Sequence, residues 1–218
     1  MNSILSEKLA KASVDARYLL SRGYNREAVV RFVGDRYLLS KEERLVIYRG
    51  VYDPITALIH RRKRVSRDFI QRKTLAIDGF NVLITVESAL SNKPLLLCDD
   101  GFIRDISAVH GRHTLSDITL SALTALANHL SKLNPKQVFF FYDSPVSHSG
   151  DLAKLTYEIL TKYNVACEAK AVKQVDSEVL KSGEIVASSD YAIVSRANYV
   201  YDLGGEVAKE LNPTIIKL

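Results

Sequence analysis

Four aspartates carry the chemistry that this sequence offers. Asp78 follows the apolar run Leu75-Ala76-Ile77, and Asp143 follows Gln137 to Tyr142. Asp176 opens a short helical stretch, and Asp190 comes just after Ile185-Val186-Ala187. In open parallel sheets, ligands bind beyond the carboxyl ends of the strands, so carboxylates at those ends are expected in one cleft. Crowded there, they repel one another and raise one another's pKa. A hard divalent cation relieves that repulsion, and oxygen ligands select Mg²⁺ or Mn²⁺ over zinc. Such an ion clamps a phosphodiester and lowers the pKa of an attacking water. Singly, each Asp also reads as an ordinary turn, loop entry or helix cap. The weight lies in four of them recurring at equivalent strand ends.

These residues need a scaffold, and the chain supplies two textures. Up to about residue 65 the pattern is helical. Ile4, Leu5, Leu9, Ala12, Ala16, Leu19 and Leu20 recur at helical spacing, and Gly23 ends that helix. Asn25 caps a second helix, Ser40-Lys41-Glu42-Glu43 is a capping box for a third, and Asp53-Pro54 opens a fourth. From Thr74 onward, strands alternate with helices. Strands are expected at Leu75–Ile77, Gln137–Tyr142, 165–172, 185–187 and 214–217. Helices are expected at 115–133, 152–163, 176–181 and 198–211. Pro94–Cys98 and Phe102–Ile106 form a hairpin about Asp99-Asp100-Gly101. This alternation predicts an α/β fold, a mostly parallel sheet of about five strands sandwiched by helices, preceded by a small all-α domain. The expected division is a basic helical domain at 1–65, a basic linker at 66–73 and the α/β domain at 74–218.

Charge follows the same division. Residues 1–73 hold 17 Lys and Arg against 8 Asp and Glu, and the remainder holds 13 against 17, within a net charge of +5. A basic front and an acidic back suit a polyanion-gripping module beside a metal-holding one; the plainer reading is a set of solvated helix faces. Arg61, Arg62, Lys63 and Arg64 are the candidate phosphate contacts, because a basic cluster is the electrostatic footprint of nucleic-acid binding. Tyr18, Tyr37, Tyr48 and Tyr52 in the same half either stack on bases or fill the core. Only Cys98 and Cys167 are present, which excludes a disulfide framework or zinc ribbon. With no signal-peptide order at the start and no membrane-length apolar run, the chain reads as cytoplasmic with no membrane partner.

Ile77-Asp78-Gly79-Phe80-Asn81 resembles the opening Asp-Gly-x-Asn strand motif of the NYN branch of the PIN-like nucleases. Phe140-Phe141-Tyr142-Asp143 is similar to that group's second acidic strand end. Val175-Asp176 and Glu184 to Asp190 resemble its third and fourth acidic positions. The likeness covers roughly residues 74–218. The whole chain also resembles an archaeal family catalogued as domain of unknown function 434 joined to a PIN-like domain. The resemblance implies a metal-dependent ribonuclease fold with Asp78, Asp143, Asp176 and Asp190 as ligands and Asn81 beside them. Its helix glutamate has no clear counterpart, and Glu87 is the nearest substitute. The hairpin Asp99–Asp105 lies outside the pattern. It is either a charged turn or a device that sets Asp100, Arg104 or Asp105 over the site, with Arg104 stabilising phosphate charge. The second is favoured because loops on rigid scaffolds carry function. Ser144 to Gly150 joins strand to helix, with Ser149 as its expected cap and free N–H groups suited to a phosphate. His148 has no partner of ligand spacing to make it a base.

The function expected is therefore a Mg²⁺- or Mn²⁺-dependent nuclease, an endoribonuclease in the first instance, with RNA as partner. A catalytically inactive PIN-like RNA-binding or scaffold protein is the alternative, since fold does not set function. A phosphatase or nucleotide hydrolase is disfavoured, for there is no Asp-x-Asp after the first strand and no Gly-x-x-x-x-Gly-Lys-Ser/Thr loop. The sequence leaves a homodimer open.

Overall fold

The structure, a computed structural model, describes residues 7–106 and 114–218. Ile4, Leu5 and the residues before Glu7 lie outside them. Four helices come first, as expected: α1 (Glu7–Ser21), α2 (Arg26–Arg36), α3 (Lys41–Gly50) and α4 (Pro54–Lys63). Their starts are chemically specified. Asn25 accepts from the Ala28 N–H, Ser40 and Glu43 close a reciprocal capping box, and Asp53 accepts from Ile55 and Thr56 ahead of a first-turn proline. A 3-10 turn at Arg67–Ile70 follows. No described helix is long and apolar enough to cross a membrane.

The main sheet is parallel and four-stranded, in the order β5 (Cys167–Val172), β4 (Gln137–Asp143), β1 (Thr74–Asp78), β6 (Ile185–Ala187). Successive side chains alternate between its faces. Leu75, Ile77, Val138, Phe140 and Tyr142 pack with α5 (Gly79–Leu90), α6 (Asp117–Leu133), α7 (Ser149–Lys162) and α10 (Leu203–Glu210). Ala76, Phe139 and Phe141 turn to the other face, against α8 (Val175–Ser182) and α9 (Tyr191–Arg196). The helices therefore sandwich the sheet.

A fifth strand was expected in this sheet, and the C-terminal strand goes elsewhere. β7 (Ile215–Lys217) pairs in parallel with β2 (Leu95–Leu97), which pairs antiparallel with β3 (Ile103–Asp105). This second sheet completes the core of the helical segment. Leu96, Cys98 and Ile216 are buried among Leu9, Val33, Val46, Ile47 and Tyr52. Three local readings also change. α5 fills the segment after Asp78. α9 occupies Tyr191–Arg196, where no helix was expected. The last helix starts at Leu203, because Val200 is drawn into parallel bridges with Arg64 and Val186.

Candidate functional site

Asp78 ends β1 and caps α5, accepting from the Asn81 N–H. The tight strand-to-helix step needs Gly79, because a Cβ there would run into the Tyr142 ring. Asp143 ends β4. Asp176 lies in the first turn of α8, just past β5. Asp190 caps α9, just past β6, and accepts from Ala192 and Ile193. The four expected carboxylates thus occupy the carboxyl ends of the four parallel strands. Asp190 also fulfils the ordinary capping role that its residue type suggests.

Their charges act on one another. Burial above all, then the charges of Asp190 and Asp143, push the Asp78 carboxyl up to about 7. The Ser188 hydroxyl and the Asn81 N–H pull the other way. Burial and then Asp176 raise Asp143. Asp143 and Asp176 line an open cleft of about 490 Å³ with Lys173, Gln174 and Arg196. By kind the donors suit a hard divalent cation, being carboxylate oxygens that raise one another's pKa. As the side chains stand, however, no group of three or more His, Cys, Asp or Glu among the described residues is drawn close enough to hold a metal.

Asn81 organises the loop beyond β6. Its side-chain oxygen accepts from the Ser189 N–H at 2.8 Å and the Ser189 hydroxyl at 3.0 Å, while Ser188 donates to Asp78 and accepts from the Asp190 N–H. Ser188 and Ser189 were missed from sequence; their place directly before the candidate ligand Asp190 was the available signal. Glu87, about two and a half turns down α5 from Asp78, accepts from Thr119 of α6 at 2.6 Å. The structure gives it a helix-to-helix contact. Ser149 begins α7 as its first helical residue, and its hydroxyl points to the Ser144 carbonyl. The cap position belongs instead to His148, whose left-handed backbone places it there without a side-chain capping bond.

The hairpin does reach the site, by an indirect route. Asp100 is fully buried, and Arg104 grips both its oxygens at 2.8 Å and donates to the Ser189 carbonyl at 2.7 Å. Asp105 pairs with Arg49. Asp100 also meets Nδ1 of the buried His60, whose Nε2 is 3.0 Å from the Ser195 hydroxyl. This Asp–His–Ser order is that of a nucleophile chain, yet both Asp100 oxygens are taken by Arg104, and Lys63 clamps the Ser195 carbonyl. Its evident work is to tie α4, the hairpin and α9 together.

The basic run divides. Lys63 donates to the Val194 and Ser195 carbonyls at the end of α9, and Arg64 binds the Gly101 carbonyl and Glu206. Arg61 bends back to the Ala57 carbonyl, and Arg62 is exposed. Lys63 and Arg64 are thereby committed to internal contacts, because an unsatisfied helix end and a buried hairpin turn both need donors.

The class that this chain falls into is a helical segment fused to a four-stranded parallel α/β layer. It belongs to the family described as "Domain of unknown function (DUF5616)", which it matches over residues 67–206. Residues 8–63 match "Protein of unknown function (DUF434)", the first part of the two-part resemblance drawn from the sequence. The chain is 38% identical over 206 residues to the "Uncharacterized protein MJ0935" of Methanocaldococcus jannaschii, covering 93% of this chain and 98% of that one. No solved structure matches.

Proposed function

We propose that the chain is a metal-dependent nuclease of the PIN-like, NYN type, acting on RNA. The observation that carries this reading is the placement of Asp78, Asp143, Asp176 and Asp190 at the ends of four adjacent parallel strands, with Asp78 raised to about 7 by burial and by two of its partners. These four would hold Mg²⁺ or Mn²⁺, which supplies charge neutralisation at the phosphodiester and an acidified water. Asn81 holds the Ser189–Asp190 loop toward Asp78. Arg104 fixes the same loop from the other side through the Ser189 carbonyl. Lys173 and Arg196, on the wall of the Asp143–Asp176 cleft, attract the phosphate backbone.

The test is incubation of structured and single-stranded RNA with the protein, with and without Mn²⁺, beside calorimetric titration of Mn²⁺. Cleavage that needs Mn²⁺ and disappears in Asp78→Asn supports the reading, since an amide is a poor ligand for a hard cation. A second reading is a non-catalytic RNA-binding or scaffold protein. It is favoured by the carboxylates standing as loosely linked pairs with no closed group of three among the described residues. RNA binding without Mn²⁺ uptake or cleavage would select it.

A further inference from the structure

A cavity of about 380 Å³ opens between the helical segment and the α/β layer, on the Asp190 side of the acidic strand ends. Arg26, Arg49, Tyr48 and Tyr52 line it from the helical segment, and Arg104, Asn81, Asp190 and Tyr191 from the sheet side. Its charges are unevenly paired: Asp190 on the wall turns a carboxylate oxygen to the Ala192 and Ile193 N–H groups and meets no arginine within ion-pair distance among the described residues. Arg104 is matched by Asp100, and Arg49 by Asp105. Arg26 has no carboxylate partner among the described residues. It is held by the Tyr48 and Val51 carbonyls at 2.6 and 2.8 Å and lies over the rings of Tyr52, at 4.5 Å, and Tyr191, at 5.5 Å. Carbonyls and ring faces fix where this guanidinium sits and leave its positive charge for an anion.

The walls add a second preference. Tyr52 and Tyr191 stack at 6.0 Å with 28° between their planes, and Tyr52 is buried as the floor. Tyr48 and Tyr191 are 41% and 47% exposed, so each leaves ring surface for a ligand. A fixed cation beside flat, half-exposed aromatic faces matches a phosphate joined to an unpaired base. The volume falls within the ordinary range of small-ligand sites, roughly 300–1,000 Å³.

We infer that this cavity seats one nucleotide unit of a single-stranded nucleic acid, with its phosphate at Arg26 and its base against Tyr48 and Tyr191. The site deepens the nuclease reading by giving it a substrate class: a strand seated here carries its neighbouring phosphodiester past Asp190. Seating itself requires no metal. A duplex is excluded because its bases are stacked on one another and cannot lie on the tyrosines.

The experiment is fluorescence anisotropy in EDTA with single-stranded RNA and DNA oligomers of roughly eight nucleotides, and with the matching duplexes. Tyr48→Ala and Tyr191→Ala, at half-exposed positions, are each expected to weaken single-strand binding by roughly 5- to 100-fold. Arg26→Gln is expected to lower the log–log salt slope by about 0.7. Tyr157→Ala, equally exposed but on α7, should leave binding unchanged. Thermal melts establish that each variant is folded. The inference is overturned if the wild type binds no single strand, if folded tyrosine variants bind as it does, or if duplexes bind equally well and respond equally. Pocket-dependent binding without Mn²⁺-dependent cleavage supports this site and removes the nuclease reading. Cleavage with tyrosine-independent binding does the reverse.

Discussion

Ser188 donates its hydroxyl to Oδ2 of Asp78 across 3.0 Å, tying the end of β1 to the loop after β6. The bond favours the charged carboxylate, yet burial and the charges of Asp190 and Asp143 outweigh it and hold the group at about 7. An unfolded Asp titrates near 3.9. Between about pH 4 and 7 the folded protein therefore keeps a proton that the unfolded chain has released. The contribution of Asp78 to the stability of the metal-free protein falls as pH rises through that window and levels off above it. Asp78→Asn should gain on the wild type as pH climbs. His129, lowered by burial, tilts stability the other way below about 6.5, and it is common to both proteins. Urea midpoints at about pH 5 and 8 in EDTA measure the difference; a gap between the two proteins that does not change with pH would refute the assignment.

Gly79→Ala tests how tightly the first acidic position is built. The added methyl meets the ring of Tyr142, at 2.6 Å from Cδ1 and 2.8 Å from Cζ, and that ring is buried and bonded to Thr156. The expected cost is about 1–3 kcal/mol, as for overpacking elsewhere. Because the strand-to-helix step moves with it, Mn²⁺ affinity should drop as well. Chemical denaturation and calorimetry read the two effects separately. A variant with wild-type stability would show that the ring has room to yield.

The buried Asp100–Arg104 pair is expected to matter for stability rather than for chemistry. Burial pushes the Asp100 carboxyl up, but bonds from Arg104 and His60 more than offset it and hold the group at about 2. Its stabilisation is present above about pH 4 and is lost as pH falls toward 2. Asp100→Ala leaves a buried guanidinium without a counter-charge, at a cost of about 3–5 kcal/mol. Arg104→Lys should also destabilise, because an ammonium cannot reproduce the two-pronged grip. Urea unfolding near neutral pH decides the matter, and losses below about 1 kcal/mol would mean that water reaches the pair.

The basic run should separate into two behaviours. Arg62→Ala, at an exposed position, is expected to lower the salt slope of RNA binding by roughly 0.7 if that side chain meets a phosphate. Lys63→Ala and Arg64→Ala should instead lower the melting temperature, because they release the end of α9 and the Glu206 contact. Equal slope losses for all three would return the whole run to nucleic-acid binding.

The amino-acid sequence by itself determined what short-range physics controls. The caps at Asn25, Ser40 and Asp53 bond to N–H groups two or three residues away, and the alternation along β1 and β4 follows from the pleat. These local rules were enough to place Asp78, Asp143, Asp176 and Asp190 at strand ends. Tertiary structure alone decided what depends on surfaces meeting. β7 joined β2 instead of the main sheet because Ile216 is buried there with the helical core. Lys63 and Arg64 turned inward to partners as far off in the chain as Val194, 131 positions away, and Glu206, 142 positions away. Arg26 and Tyr191 meet from opposite ends of the chain over one cavity, and no spacing between them could have announced it. A contact between distant segments is set by how whole elements pack, and local propensity holds no record of that choice.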